Sequence, residues 1–118
     1  MEKLIKATQE NFESSCNKTP QYLKWHKLFK REFTKFLTGT GATKIEISKP
    51  NHFDASGFFT AKSGQIYYFS IFDLRNSKDT MIIRTAENYK NYTGGSNQYA
   101  SLSHDAGRFI NDFNKIVK

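Results

Sequence analysis

Two hydrophobic periods divide this chain, and their order restricts its fold more than any other feature. From Tyr22 the apolar positions Tyr22, Trp25, Phe29, Phe33, Phe36 and Leu37 recur at steps of three and four, which marks one face of an α-helix. Beyond Gly41 the step becomes two, the period of a strand. A helix therefore leads into a sheet within one short chain. Thr19 and Pro20 stand where a cap and a first helical residue are wanted, and Gly39 and Gly41 supply the stop. A shorter helix is expected over Lys3 to Ser15, from Leu4, Ile5, Thr8 and Phe12.

The strand region resolves into runs separated by turn residues. Lys44 to Ser48 alternates, with Ile45 and Ile47 on one face, and Lys49, Pro50 and Asn51 break it. Ser56 to Ala61 forms a second run, and Lys62 to Gln65 turns into a third, Gln65 to Leu74. That third run is apolar on both faces, as expected of a strand in the middle of a sheet. A turn over Arg75 to Asp79 precedes a fourth strand, Thr80 to Thr85. Connections this short favour an antiparallel meander over parallel crossovers. Ala86 to Asn97 reads as a loop. The last segment returns to helical spacing at Tyr99, Leu102, Ala106, Phe109, Ile110, Phe113, Ile116 and Val117, which predicts a helix from about Ser96 or Ser101 to near the C-terminus. The expected fold is α+β, a three- to four-stranded antiparallel meander with N-terminal helices and a C-terminal helix packed on the sheet. Residues 1–118 are expected to make one domain.

Composition decides what fills the core. Only one of the 118 residues is valine, whereas 11 are phenylalanine and 6 tyrosine, so the interior must be built from rings. The single cysteine, Cys16, rules out an intramolecular disulfide scaffold and a thiolate zinc site. No stretch has the length or apolarity of a signal core or a membrane span, and a cytoplasmic location is expected.

The net charge of +7 bears on partners. Lys24, Lys27, Arg31 and Lys35 recur along the helix opposite its aromatic face, with Lys30 beside them and Glu32 as the one acidic residue among them. Such a stripe neutralises phosphates or meets an acidic partner. An equally ordinary role is a solvated outer helix face, with lysine stems covering apolar surface. A second candidate contact combines Arg84 and Lys90 with the backbone of Gly94, Gly95, Ser96 and Asn97, where two glycines ahead of the expected helix would expose N–H groups to an anion. Tyr89, Tyr92 and Tyr99 lie among these cations and would suit base stacking. No Gly-Lys-Ser/Thr follows, so this is not a nucleotide P-loop.

Catalytic groups are sparse. His26, His52 and His104 fall in separate elements, Cys16 has no recognisable base beside it, and no metal or cofactor site is expected. An enzyme is not expected. The alternatives are a small metal-dependent phosphodiesterase or other anion-acting enzyme around His52, Asp54 and Arg84, and a structural or oligomeric accessory protein.

The stretch from Ser56-Gly57-Phe58-Phe59 through Gly64-Gln65-Ile66-Tyr67-Tyr68-Phe69-Ser70-Ile71, with Ile83-Arg84-Thr85-Ala86 and Tyr92-Thr93-Gly94-Gly95-Ser96-Asn97, resembles small proteins of phages and mobile elements of low-GC bacteria. That resemblance implies antagonism of a host defence system, in the manner of anti-CRISPR proteins that bind an effector nuclease or its guide complex. The element order is also similar to that of the double-stranded RNA-binding domain, but the start of the last helix, Ser96 to His104, lacks the lysines that family places there. The expected function is thus non-enzymatic binding of a nucleic acid or nucleoprotein complex through a basic helix face.

Overall fold

Thr19 sets the start of the main helix. Its backbone is extended, its side chain accepts a hydrogen bond from the Tyr22 amide at 3.2 Å, and Pro20 follows at the first helical position. In the computed structural model, which describes residues 1–9, 19–50, 54–71, 80–91 and 95–118, the helices α1 (Glu2–Gln9) and α2 (Pro20–Gly39) come first. The strands β1 (Thr43–Ile47), β2 (Ala55–Thr60), β3 (Ile66–Ile71), β4 (Thr80–Ala86) and β5 (Gln98–Ser101) follow, and α3 (Ala106–Ile116) ends the chain. The fold is α+β: the five strands form one antiparallel sheet in the order β1-β2-β3-β4-β5.

The helices share one face of that sheet. Phe29 and Phe33 of α2 reach Phe69 on β3, with ring centroids 6.1 and 5.0 Å apart, and Phe36 meets Phe113 of α3 edge-on at 4.9 Å. Phe59 stacks on Tyr67 and Phe113. The core is aromatic, as the composition demands, and such edge-on and offset rings each add to the burial term. Helix α1 is tied to α2 by a polar relay inside this apolar layer, in which the Trp25 indole donates to Thr8 Oγ1 and Thr8 donates to the Leu4 carbonyl. Each polar atom buried there has a partner, so the docking carries no desolvation debt.

Strand β3 lies at the centre of the sheet with every residue after Ile66 buried, the environment that its two apolar faces require. The expected C-terminal helix needs correction. It begins at Ala106, not at Ser96 or Ser101, because Asp105 is its cap and accepts from the Arg108 amide at 2.9 Å. Tyr99 instead lies on β5, a fifth strand that pairs with β4, and Leu102 follows it in a bend. The strand count therefore rises to five. The expected first helix is seen over Glu2–Gln9; its remainder, Cys16, the Asn51 to Phe53 segment with His52, the end of the third run with its turn, and Tyr92 to Gly94 lie outside the described residues.

Candidate anion-binding groove

The inward face of α2 fixes where its cations go. With Tyr22, Trp25, Phe29, Phe33 and Leu37 buried, the positions between them must face out, and Lys24, Lys27, Lys30, Arg31 and Lys35 are all exposed. The stripe does not remain uniform. Lys24, Lys27 and Lys30 form one wall of a groove of about 630 Å³, whose other wall is the end of β1 and the residues after it, Ile47, Ser48, Lys49 and Pro50. Lys49 thus joins the three helix lysines from across the groove, and no carboxylate lines it among the described residues. Neither ion pair between described residues, Arg31 with Glu32 or Arg108 with Asp112, involves a groove lysine.

Arg31 and Lys35 belong elsewhere. Arg31 Nε lies 3.2 Å from Glu32 Oε2, a contact that holds the Glu32 carboxyl below its ordinary range. Lys35 borders a separate cavity of about 660 Å³ together with Glu2 and Glu32, where positive charge is already answered. Among the described residues, the cations that gather in one groove are therefore Lys24, Lys27, Lys30 and Lys49.

His26 forms part of the groove lining, and its ring packs against Tyr22 at a centroid distance of 5.9 Å. Burial lowers its pKa, against a hydrogen bond donated to the Ser48 backbone carbonyl, and Lys30 nearby adds to the lowering. The Tyr22 hydroxyl donates to the Asp54 carbonyl at 2.6 Å; burial, and then the Asp54 charge, raise its pKa well above the ordinary phenol value. The Tyr22 bond ties α2 to the residue that precedes β2.

A pH dependence follows from His26. The unfolded chain takes up a proton near the ordinary value of 6.5, which the folded chain resists, so stability is complete above that value and is lost as pH falls through the lower folded value. Thermal melts at about pH 7.5 and pH 5.5 are expected to show a drop for the natural chain that His26→Gln largely removes; equal drops in both proteins would rule His26 out as its source. Glu32 acts only at lower pH, in the carboxylate range.

The second expected contact does not join the first. Phe69 faces α2 and stands opposite Ile83 in the β3/β4 register, so the next residue, Arg84, points to the other side of the sheet. There its guanidinium lies 5.0 Å from the Tyr68 ring centroid and its Nη1 donates to Asn97 Oδ1 at 2.9 Å. The segment from Gly95 to Asn97 leads into β5, not into a helix, so it has no helix N-terminus to offer an anion. Gly95 has φ +61, and a Cβ on it would come within 2.5 Å of Thr85 Oγ1; close approach to β4 is reason enough for the glycine. Gly94 lies outside the described residues. Lys90 is exposed, its amide donating to Asn88 Oδ1 in a local turn. Tyr89 stacks on Phe58 and shares a 2.6 Å hydrogen bond with Thr60 Oγ1, which makes it a packing residue. Tyr99 is exposed.

The catalytic alternative finds Asp54 fully buried, with its backbone amide bonded to Ile71 and its carbonyl to Tyr22. Among the described residues no three His, Cys, Asp or Glu side chains converge as a metal site would require, and no helix is long and apolar enough to cross a membrane. Six of the nine described lining residues stood outside the expected contacts, among them Lys49 and Leu23. Lys49 was legible only as part of a strand break, and Leu23, 43% exposed, interrupts the polar face of α2. Comparison with family models, curated proteins and solved structures gave no match.

Proposed function

We propose that this protein is a non-enzymatic binding module that receives the phosphate backbone of a nucleic acid, free or carried in a nucleoprotein complex, in the groove between α2 and β1. The observation that carries this reading is a concave surface lined by Lys24, Lys27, Lys30 and Lys49, with no carboxylate among its described lining residues. Lys24 to Lys30 covers roughly 9 Å of helix axis, the span of two or three successive phosphates on one strand. We extend the reading to antagonism of a host defence effector, whose guide or target strand would be the polyanion.

Salt dependence tests the reading. Four lysine–phosphate contacts should give a slope of about −3 in log affinity against log salt concentration for a single strand. Binding that is absent at low salt, or indifferent to salt, would remove direct phosphate recognition.

A further inference from the structure

The groove is basic at its rim, but the chemistry of its lining is not that of a phosphate cradle alone. Leu23, Ile47 and Pro50 contribute apolar surface between the lysines. Leu23 is one of only three large hydrophobic residues exposed among those described, with Tyr99 and Ile110, and it is the one placed among cations. A single exposed leucine is ordinary on a protein surface, but this one shares one groove lining with Ile47 and Pro50, so apolar surface gathers between the lysines.

Duplex backbones do not answer this combination. Their bases are stacked and paired, so the surface a groove meets is phosphate and sugar, with no apolar flat group free to enter a pocket. A single strand differs, because its bases can be splayed from the backbone and packed on side chains while the phosphates remain on lysines. At about 630 Å³ the groove falls within the range of ordinary ligand pockets, roughly 300 to 1,000 Å³. We infer that the α2/β1 groove seats a nucleotide of a single-stranded nucleic acid, its base inward against Leu23, Ile47 and Pro50 and its flanking phosphates on Lys24, Lys27, Lys30 and Lys49.

The inference rests on the polyanion reading above and goes further by naming the form of nucleic acid and the part of it that enters. The walls are helix α2 and the end of strand β1 with the residues directly after it, so a base would meet a largely formed surface and little ordering would be lost on binding.

The test uses fluorescence anisotropy on the whole chain with three probes: a labelled thymidine strand of about twelve nucleotides, within the usual site size, its duplex, and an abasic strand of the same length. At one low salt concentration the thymidine strand should bind roughly tenfold more tightly than either other probe, the scale expected from burying roughly 50 Å² of one base on apolar side chains. Leu23→Ser, at an exposed position, should bring the thymidine strand down to about the abasic level and leave the abasic strand unchanged. Equal binding of all three probes would overturn the base seat while leaving phosphate recognition intact. Failure of all three to bind would overturn both. Displacement of the thymidine strand by a polyglutamate peptide as readily as by unlabelled strand would also overturn it, since the groove would then be reading charge alone.

Discussion

Replacing Lys24, Lys27 and Lys30 together by glutamate is expected to abolish binding of a single-stranded oligonucleotide, with a loss of at least about a hundredfold at low salt. The reversal removes three of the four cations among the described lining residues of the groove and puts three carboxylates in their place. Each phosphate then meets repulsion where it met neutralisation, and no counterion release remains to drive association. The fold should survive, because all three positions are exposed and face away from the aromatic core; an unchanged circular dichroism spectrum checks this. The matching reversal of Arg31 and Lys35 is the informative control. Those two sit beside Glu32 and Glu2, outside the groove, so their loss should weaken binding only several-fold, through the general field. Equal effects from both sets would mean that the whole stripe acts as a diffuse charge. A reversal of Arg84 should do less still, since its guanidinium lies on the opposite side of the sheet, held by Tyr68 and Asn97.

How much of this was legible beforehand depends on which interactions are local. The α2 helix was readable in full, because its cap, its proline, its aromatic stripe and its glycine stop are all sequence neighbours. The same holds for β3, where a run apolar on both faces can be satisfied only in the middle of a sheet. Strand β5 was not readable. Tyr99, Leu102 and Ala106 happen to continue the helical spacing of Phe109 and Phe113 backwards across Asp105, and the four residues of β5 are too few to establish a period of their own. What holds them extended is pairing with β4, from Thr80 opposite Ser101 to Ile83 opposite Gln98, together with the Ser101 amide donating to Asp112 Oδ2 on α3 at 2.9 Å. Both are non-local contacts.

The site divides in the same way. That Lys24, Lys27 and Lys30 share a face follows from helix geometry alone. That Lys49 stands across from them depends on how α2 lies against the sheet edge, which no local pattern encodes. The separation of Arg84 from α2 lies between these cases. Alternation places it opposite Ile83, but only the packing of Phe29 and Phe33 on Phe69 says which side the helix takes.

Position 57 links the fold to the site most directly. A Cβ built on Gly57 would land on the Glu46 carbonyl oxygen of β1 and come within 2.8 Å of Phe69 Cζ. Neither neighbour can yield easily: the carbonyl is backbone, and the Phe69 ring is fully buried among Phe29, Phe33 and Phe59. Gly57→Ala must therefore push β1 off β2 where Ile47 pairs with residue 57. Overpacking at such a point costs about 3 kcal/mol, which should appear as a large fall in the urea midpoint. Because Ile47 to Pro50 is the far wall of the groove, whatever folded protein remains should also bind the oligonucleotide less tightly, although no cation has been touched. Gly39→Ala is the contrast. It sits at the end of α2 with nothing within 4 Å of an added Cβ, and it should leave binding unchanged while stabilising the chain by roughly 0.5 kcal/mol. If Gly57→Ala kept both its urea midpoint and its affinity, β1 would have to move independently of the groove, and the wall assigned to Lys49 would lose its structural basis.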